Sequence, residues 1–258
     1  MYTLGIDIGS TTSKCIILED GERIVGSSLV VGGMGTKGPA QAVEDVLADA
    51  SLTREDMQGI VATGYGRNKC TETDQQASEL TCHALGAHMV FPNVRTIIDI
   101  GGQDAKCISL DAQGRMLSFL MNDKCAAGTG RFLDVMANIL TIPVGELGDY
   151  AGRSAHPAAI SSTCTVFAES EVISQLANET PTEDIVAGIC ASVATRVASL
   201  AKRMGVKPEV CMSGGVAQNS GVRHAMEVSL GQPILFSPLA QLFGAMGAAR
   251  LAWQKAGK

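Results

Sequence analysis

The chain holds 8 cysteines in 258 residues but has no Cys-x-x-Cys pair. That absence removes the strongest signature of a zinc or iron–sulfur site built by one chain alone. No Gly-x-x-x-x-Gly-Lys-Ser/Thr loop occurs, which excludes the Walker type of phosphate site, and "GTG" at 128–130 is too short for a dinucleotide fingerprint. Positive charge is scarce. Against 26 Asp and Glu there are 20 Lys and Arg, a net charge of −6, whereas a phosphate backbone selects clustered cations. No nucleic-acid partner is expected. No run of about 18 apolar residues reads as a membrane span, and "MYTLGIDIGS" lacks a basic stretch and a cleavage site. The expectation is therefore a cytoplasmic protein with no membrane partner, whose cysteines are thiols or metal ligands and not disulfides.

Hydrophobic residues make up 46% of the chain and charged residues 18%. That composition supplies a sizeable core, so the chain should be folded throughout. The pattern that organises it is a repeat. "DIGSTTSKCIIL" (7–18) returns as "DIGGQDAKCISL" (99–110), with seven of twelve positions the same. Each copy sits in a run of strands followed by helices. "YTLGIDIG", "SKCIILED" and "RIVGSSLVVG" read as a β-meander, 39–50 as a helix opened by Pro, "GIVATGYG" as a strand and 74–90 as a helix. The second half restarts with "RTIIDIGG", "DAKCISLD" and "MLSFLMN" as strands. Helices follow over 128–140 and over 182–205, the latter with Thr182 as N-cap and Gly205 at its end. "EVCMSGG" is then a strand, 219–231 a helix, "PILFS" a short strand and 241–257 a closing helix. No linker separates the halves. The predicted fold is α/β, with two domains over 1–66 plus 240–258 and over 67–239.

In each copy a strand delivers Asp and Gly into a tight turn. Gly9, and Gly101 with Gly102, let amides approach an anion with no Cβ in the way. Ser10, Thr11 and Thr12 add hydroxyl donors in the first copy, where the second has Gln103 and Asp104. Two such hairpins are expected to hold a polyphosphate, with Asp7 and Asp99 holding Mg²⁺ through its waters or orienting an attacking water. "SGGVAQNSG" (213–221) follows a strand and opens a helix, which suits an approach to adenosine or its phosphates. "GAMGAA" (244–249) reads first as a close helix–helix contact.

These pieces resemble the acetate and sugar kinase/Hsp70/actin superfamily over nearly the whole chain. The resemblance implies two ribonuclease-H-like domains with mixed sheets around an ATP cleft. Among the cysteines, Cys15 and Cys107 fall at the same place in both copies and read as small core residues. Cys82, Cys190 and Cys211 lie in apolar helix or strand patterns and read the same way, while Cys70 stands in a polar loop. Cys125 in "NDKCAAGTGRF" and Cys164 in "SSTCTVFAESE" each precede a helix start, a setting that suits a thiolate. Two ordinary turn cysteines are the alternative. Two thiolates cannot complete a cluster that wants four, but an isologous dimer presents each residue twice.

"DIGSTTSK", "ATGYGR", "IDIGGQD", "NDKCAAGTGRFLDVMA" and "SSTCTVFAESEVISQL" then resemble, more closely, the activator components of the 2-hydroxyacyl-CoA dehydratases of anaerobic bacteria. The resemblance implies a homodimeric iron–sulfur ATPase with one 4Fe–4S cluster held by Cys125 and Cys164 of both chains. It implies reduced ferredoxin or flavodoxin as electron donor and a dehydratase as recipient. It also implies ATP hydrolysed to ADP with Mg²⁺. Asp7, Asp99 and Gln103 carry the hydrolysis. Gly9, Ser10, Thr11, Thr12, Lys14, Gly101, Gly102 and Gln103 line the phosphates, with Gly128 and Gly130 bordering them. Gly214, Gly215, Gln218 and Asn219 approach the adenosine, and Gln241 and Gly244 join the nucleotide contacts. His83, His88, His156 and His224 are left as structural or surface residues. The competing readings are a benzoyl-CoA-reductase-type electron donor, a small-molecule kinase of the same fold, and a cluster-free assembly module.

Overall fold

The computed structural model describes residues 1–71, 73–161 and 163–257. In chain order the elements are β1 (Tyr2–Ile8), β2 (Thr12–Glu19), β3 (Arg23–Val31), α1 (Gly38–Ala50), β4 (Met57–Thr63), β5 (Gln75–Gln76) and α2 (Glu79–Val90). There follow β6 (Thr96–Ile100), β7 (Ala105–Leu110), β8 (Met116–Asn122), α3 (Gly130–Leu140), α4 (Leu147–Ala151), α5 (Thr165–Ala177) and α6 (Thr182–Met204). The chain ends with β9 (Val210–Ser213), α7 (Ser220–Leu230) and α8 (Phe243–Ala256). Two compact units result. One comprises Met1–Val94, Leu110–Leu117 and Gln241–Lys258, the other Arg95–Ser109 and Ser118–Ala240.

The first unit is built on a five-stranded sheet of order β3-β2-β1-β4-β5. β1 runs antiparallel to β2 and parallel to β4, so the sheet is mixed. Its strands carry apolar residues on both faces, because both faces are covered. Leu4, Ile6, Ile8, Cys15 and Ile17 pack with Ala42 and Val46 of α1. On another packing surface Val61, Cys82 of α2, and Ala248 and Ala252 of α8 form a second cluster. Small residues allow that layer to close. A Cβ on Gly247 would lie 1.8 Å from the Cys82 carbonyl oxygen, and one on Gly5 would lie 2.0 Å from the Ala245 carbonyl oxygen. The reading of "GAMGAA" as a close packing stripe is correct.

The second unit repeats the scheme. Its sheet has the order β8-β7-β6-β9, with β6 antiparallel to β7 and parallel to β9. A parallel bridge from Cys211 to Leu235 occupies the place of a fifth strand, so "PILFS" contributes one bridge where a strand was expected. α6 supplies much of the core: Ile185, Val186, Ile189, Val193 and Ala194 are fully buried. By length and composition alone α6 is apolar enough to cross a membrane, but 72% of its apolar window is buried inside the protein, as in the core helix of a folded domain.

Three further expectations shift. The helix expected over 74–90 begins at Glu79, because Gln75–Gln76 pair with Val61 and Ala62 as an edge strand. Thr182 is the first helical residue of α6 and Pro181 holds the cap position, which offers no side-chain acceptor. The first unit runs to Val94, where the sequence reading drew its boundary after residue 66, because α2 packs on α8.

Candidate nucleotide site and cysteine loops

The repeated dozen residues fold into the same hairpin twice. In the first unit the Gly9 amide donates to the Thr12 carbonyl at 3.0 Å; in the second the Gly101 amide donates to the Asp104 carbonyl at 2.9 Å. The register places Asp7 opposite Lys14 and Asp99 opposite Lys106. Each pair is ionic: Lys14 Nζ lies 3.2 Å from Asp7 Oδ2, and Lys106 Nζ lies 3.4 Å from Asp99 Oδ2. Both aspartates are buried, at 3% and 2% exposure, so each carboxylate needs its cation. Lys106 serves a second carboxylate as well, Asp104 Oδ2 at 2.8 Å. The sequence reading named Lys14 but not Lys106. The signal was present, since lysine occupies the same place in both copies.

The correspondence extends to the neighbouring parallel strand. β4 ends at Thr63 and is followed by Gly64; β9 ends at Ser213 and is followed by Gly214. Gly64 has φ +86° and Gly214 φ +83°, the left-handed region where only glycine is unstrained. A Cβ on Gly64 would lie 2.3 Å from Asp7 Oδ1, and one on Gly214 2.9 Å from Asp99 Oδ1. Each glycine thus lets a loop pass directly over its aspartate. The halves differ in how that carboxylate is held. The Ser213 hydroxyl donates to Asp99 Oδ1 at 2.7 Å, whereas the Thr63 hydroxyl donates to the Ala77 carbonyl. Over Asp7 instead lies Gly244 at the start of α8, where a Cβ would meet Asp7 Oδ2 at 2.8 Å and His83 Nε2 at 3.0 Å. His83, left as structural or surface, is buried beside the first aspartate.

Ser10, Thr12, Gly101 and Gly102 are half-buried at the hairpin turns, and Thr11 and Gln103 are exposed there. The adenosine candidates divide. Gly214 and Gly215 form the turn after β9, and the Gly214 amide donates to the Ala240 carbonyl at 3.2 Å. Asn219 Oδ1 caps α7 by accepting from the Val222 amide at 3.0 Å. Gln218 Nε2 donates to the Pro238 carbonyl at 3.2 Å, and Gln241 is half-buried in the turn before α8.

The cysteines sort by burial. Cys15, Cys82, Cys107, Cys190 and Cys211 are buried, and desolvation pushes every one of these thiols up; Cys82, Cys107 and Cys190 reach about 12. They are core residues. Cys125 and Cys164 are half-buried on loops that lead into α3 and α5. Cys164 is the N-cap residue of α5. Cys125 stands four residues before the α3 cap, Thr129, and not at the helix start itself. Its carbonyl accepts from Asn122 Nδ2 at 3.0 Å. The segment before Cys164 is stitched to α6: Asp184 Oδ1 accepts from the Ser154 hydroxyl and the His156 amide, and the Ser161 carbonyl accepts from the Ser192 hydroxyl. Gly128 and Gly130 have structural duties. Gly128 turns at φ +86° against Arg196, and the Gly130 amide donates to the Gly101 carbonyl at 2.8 Å.

Residues 4–252 match the BadF/BadG/BcrA/BcrD ATPase family. The chain is 59% identical over 259 residues to the (R)-2-hydroxyglutaryl-CoA dehydratase activating ATPase of Acidaminococcus fermentans, covering 100% of this chain and 99% of that one. It is 49% identical over 258 residues to the activator of lactoyl-CoA dehydratase of Anaerotignum propionicum, covering all of both. Among solved structures it is similar to the activator of the 2-hydroxyisocaproyl-CoA dehydratase from Clostridium difficile with bound ADPNP, with a TM-score of 0.98, 55% identity, and coverage of 100% of this chain and 96% of that one.

Proposed function

Because the chain belongs to the BadF/BadG/BcrA/BcrD ATPase family, we propose that it is an ATP-hydrolysing activator of a 2-hydroxyacyl-CoA dehydratase, delivering one electron to that partner at the expense of ATP. The observation that carries this reading is the conjunction of two buried Asp–Lys hairpins with two half-buried cysteines on the loops that lead into contacting helices α3 and α5. A kinase of this fold has no use for the second feature. An iron–sulfur protein without ATP has no use for the first.

In hydrolysis the hairpin turns supply the phosphate contacts. Since Gly9 and Gly101 spend their amides closing the turns, the tip residues Ser10, Thr11, Gly102 and Gln103 offer the donors. Asp7 and Asp99 are each backed by a lysine, which suits them to hold Mg²⁺ through its waters or to orient an attacking water. Gln103, exposed at its tip, can align the water that attacks the γ-phosphorus as ADP departs. Gly214 and Gly215 allow the adenosine to approach the end of β9, where a side chain would obstruct it.

Cys125 and Cys164 fit a shared cluster in chemistry and number. They are the pair of half-buried cysteines that precede helices, and two thiolates are half of a four-cysteine set. A second copy of the chain would bring the other two. The 4Fe–4S cluster, when bound, supplies a low-potential electron that a reduced ferredoxin or flavodoxin replenishes. α5 offers the dimer an apolar surface beside Cys164: Val166, Phe167 and Ile173 are 65%, 62% and 52% exposed, and such side chains gain by burial in an obligate interface. Acyl-CoA selectivity lies in the dehydratase, so relatives at 59% and 49% identity can serve different hydroxyacyl-CoA substrates.

Anaerobically purified protein, mixed with a candidate dehydratase and a reductant, tests the proposal. Phosphate release and dehydratase activity should appear together, and Asp99→Asn should lower both by roughly 10²-fold or more, the usual cost of losing a positioned acid–base group. Dehydratase activation that survives without ATP would overturn it.

A further inference from the structure

The repeat reaches further into the structure than the dozen residues that first reveal it. After the third strand of each unit, the connection to the next helix makes the same turn. In the first unit the Thr36 amide and hydroxyl both donate to the Gly33 carbonyl, at 3.2 and 2.8 Å, and Gly35 between them has φ +84°. In the second unit the Thr129 amide and hydroxyl both donate to the Ala126 carbonyl, at 3.0 and 2.7 Å, and Gly128 has φ +86°. "GMGT" (33–36) and "AAGT" (126–129) share only Gly and Thr, which is why the sequence alone conceals the match.

In both units this clasp is fastened to the phosphate hairpin. The Met34 amide donates to the Gly9 carbonyl at 3.0 Å, and the Gly32 amide to the Thr11 carbonyl at 2.9 Å. In the second unit the residues just after Thr129 do the same work: the Gly130 amide donates to the Gly101 carbonyl and the Arg131 amide to the Gly102 carbonyl, both at 2.8 Å. The halves then diverge. The second clasp is preceded directly by Cys125, and Asn122 holds that addition. Its Nδ2 donates to the Cys125 carbonyl at 3.0 Å and to the Ala127 carbonyl at 3.3 Å, tying the cysteine's own peptide to the clasp. Thr129 is fully buried, so its hydroxyl is committed to this turn and not to solvent.

We propose that Thr129 and Asn122 are positioning residues that transmit the state of the 101–104 hairpin to Cys125. This rests on reading Cys125 as a cluster ligand and the hairpin as a phosphate contact. The path is continuous within one unit: hairpin carbonyls to the first amides of α3, Thr129 to Ala126, and Asn122 to the carbonyls of Ala127 in the clasp and of Cys125 itself. A phosphate that draws in the amides of Gly102 and Gln103 reorients the peptide units whose carbonyls anchor α3. The clasp moves with the helix, and Asn122 passes the movement to Cys125.

The test reads the thiol itself. Full-length protein without cluster is treated with iodoacetamide, with and without Mg²⁺ and ADPNP, and the rates at Cys125 and Cys164 are followed by peptide mass spectrometry. Nucleotide affinity is measured in parallel by calorimetry. In the natural protein ADPNP should change the Cys125 rate by about fivefold, the factor that one net hydrogen bond sets. Thr129→Val should abolish that nucleotide dependence at Cys125 while ADPNP still binds, and Thr129→Ser should restore it. Asn122→Ala, which leaves the clasp intact, should raise the Cys125 rate in both conditions and also remove the dependence; it carries the test if Thr129→Val does not fold. A nucleotide effect that persists in both variants, or a Cys125 rate indifferent to bound ADPNP in the natural protein, overturns the relay. Failure of ADPNP to bind at all would instead overturn the nucleotide reading.

Discussion

Lys106 offers a quantitative check, because the repeat provides its own control. Lys106 and Asp99 side chains are 4% and 3% exposed, and Lys106 also meets Asp104 at 2.8 Å. Lys106→Met therefore leaves one buried carboxylate and one half-buried carboxylate without their cation. Removing one member of a buried pair costs about 3–5 kcal/mol, most of it the burden of the stranded charge. The Lys14 side chain is 11% exposed and, among the described residues, pairs with Asp7 alone, so Lys14→Met should cost less, about 1–3 kcal/mol. The stranded charge can be relieved: Asp99→Asn combined with Lys106→Met should recover about half of the loss. Urea unfolding followed by far-ultraviolet circular dichroism measures the natural protein, the three single variants Lys106→Met, Lys14→Met and Asp99→Asn, and the double variant. Trp253, the single tryptophan, lies in the first unit, and its fluorescence reports the Lys14 substitution separately. Equal costs for the two lysines, or a double variant as unstable as the sum of its parts, would refute the account of two unequal buried pairs.

Alkaline pH should act through the buried thiols. Their folded values stand above the ordinary thiol value, so the stability they contribute is complete below about pH 9 and is lost as pH rises toward about 12. Each should contribute up to about 1.4 kcal/mol per pH unit across that window, and Cys190→Ala should flatten the slope of urea midpoint against pH; an unchanged slope would count against the burial argument. Gly64→Ala should be worse than a loop substitution, since its Cβ would lie 2.3 Å from Asp7 Oδ1 and its φ is +86°. A loss of about 2 kcal/mol or more, together with loss of phosphate release, is expected, and a neutral result in both assays would remove Gly64 from the site.

The repeated dodecapeptide made the strand–turn–strand units and their aspartates legible, because alternating apolar residues and a glycine turn are local signals. The antiparallel hairpins β1–β2 and β6–β7 follow from that pattern, whereas the parallel pairing of β1 with β4 and of β6 with β9 joins strands distant in sequence and was expected only from the resemblance. The failures were also local. Gln75–Gln76 carry no strand signal; they pair only because β4 presents an open edge. The double pairing of Lys106 stands out only in three dimensions, where the lysine is buried between Asp99 and Asp104. Gly244 comes close to both Asp7 and His83 through the packing of α2 and α8, an approach that no spacing within either helix could announce. The Thr36 and Thr129 clasps stayed hidden because a turn of that kind demands only a glycine and a hydroxyl at fixed places, and the rest of the sequence is free to drift.

The central claim, that two chains share one cluster through Cys125 and Cys164, is tested most directly by native mass spectrometry of protein prepared and reconstituted without oxygen. The account predicts a dimer carrying a single 4Fe–4S cluster, lost together in Cys125→Ala and in Cys164→Ala. A complete cluster on one chain, or one retained when either cysteine is replaced, would contradict it.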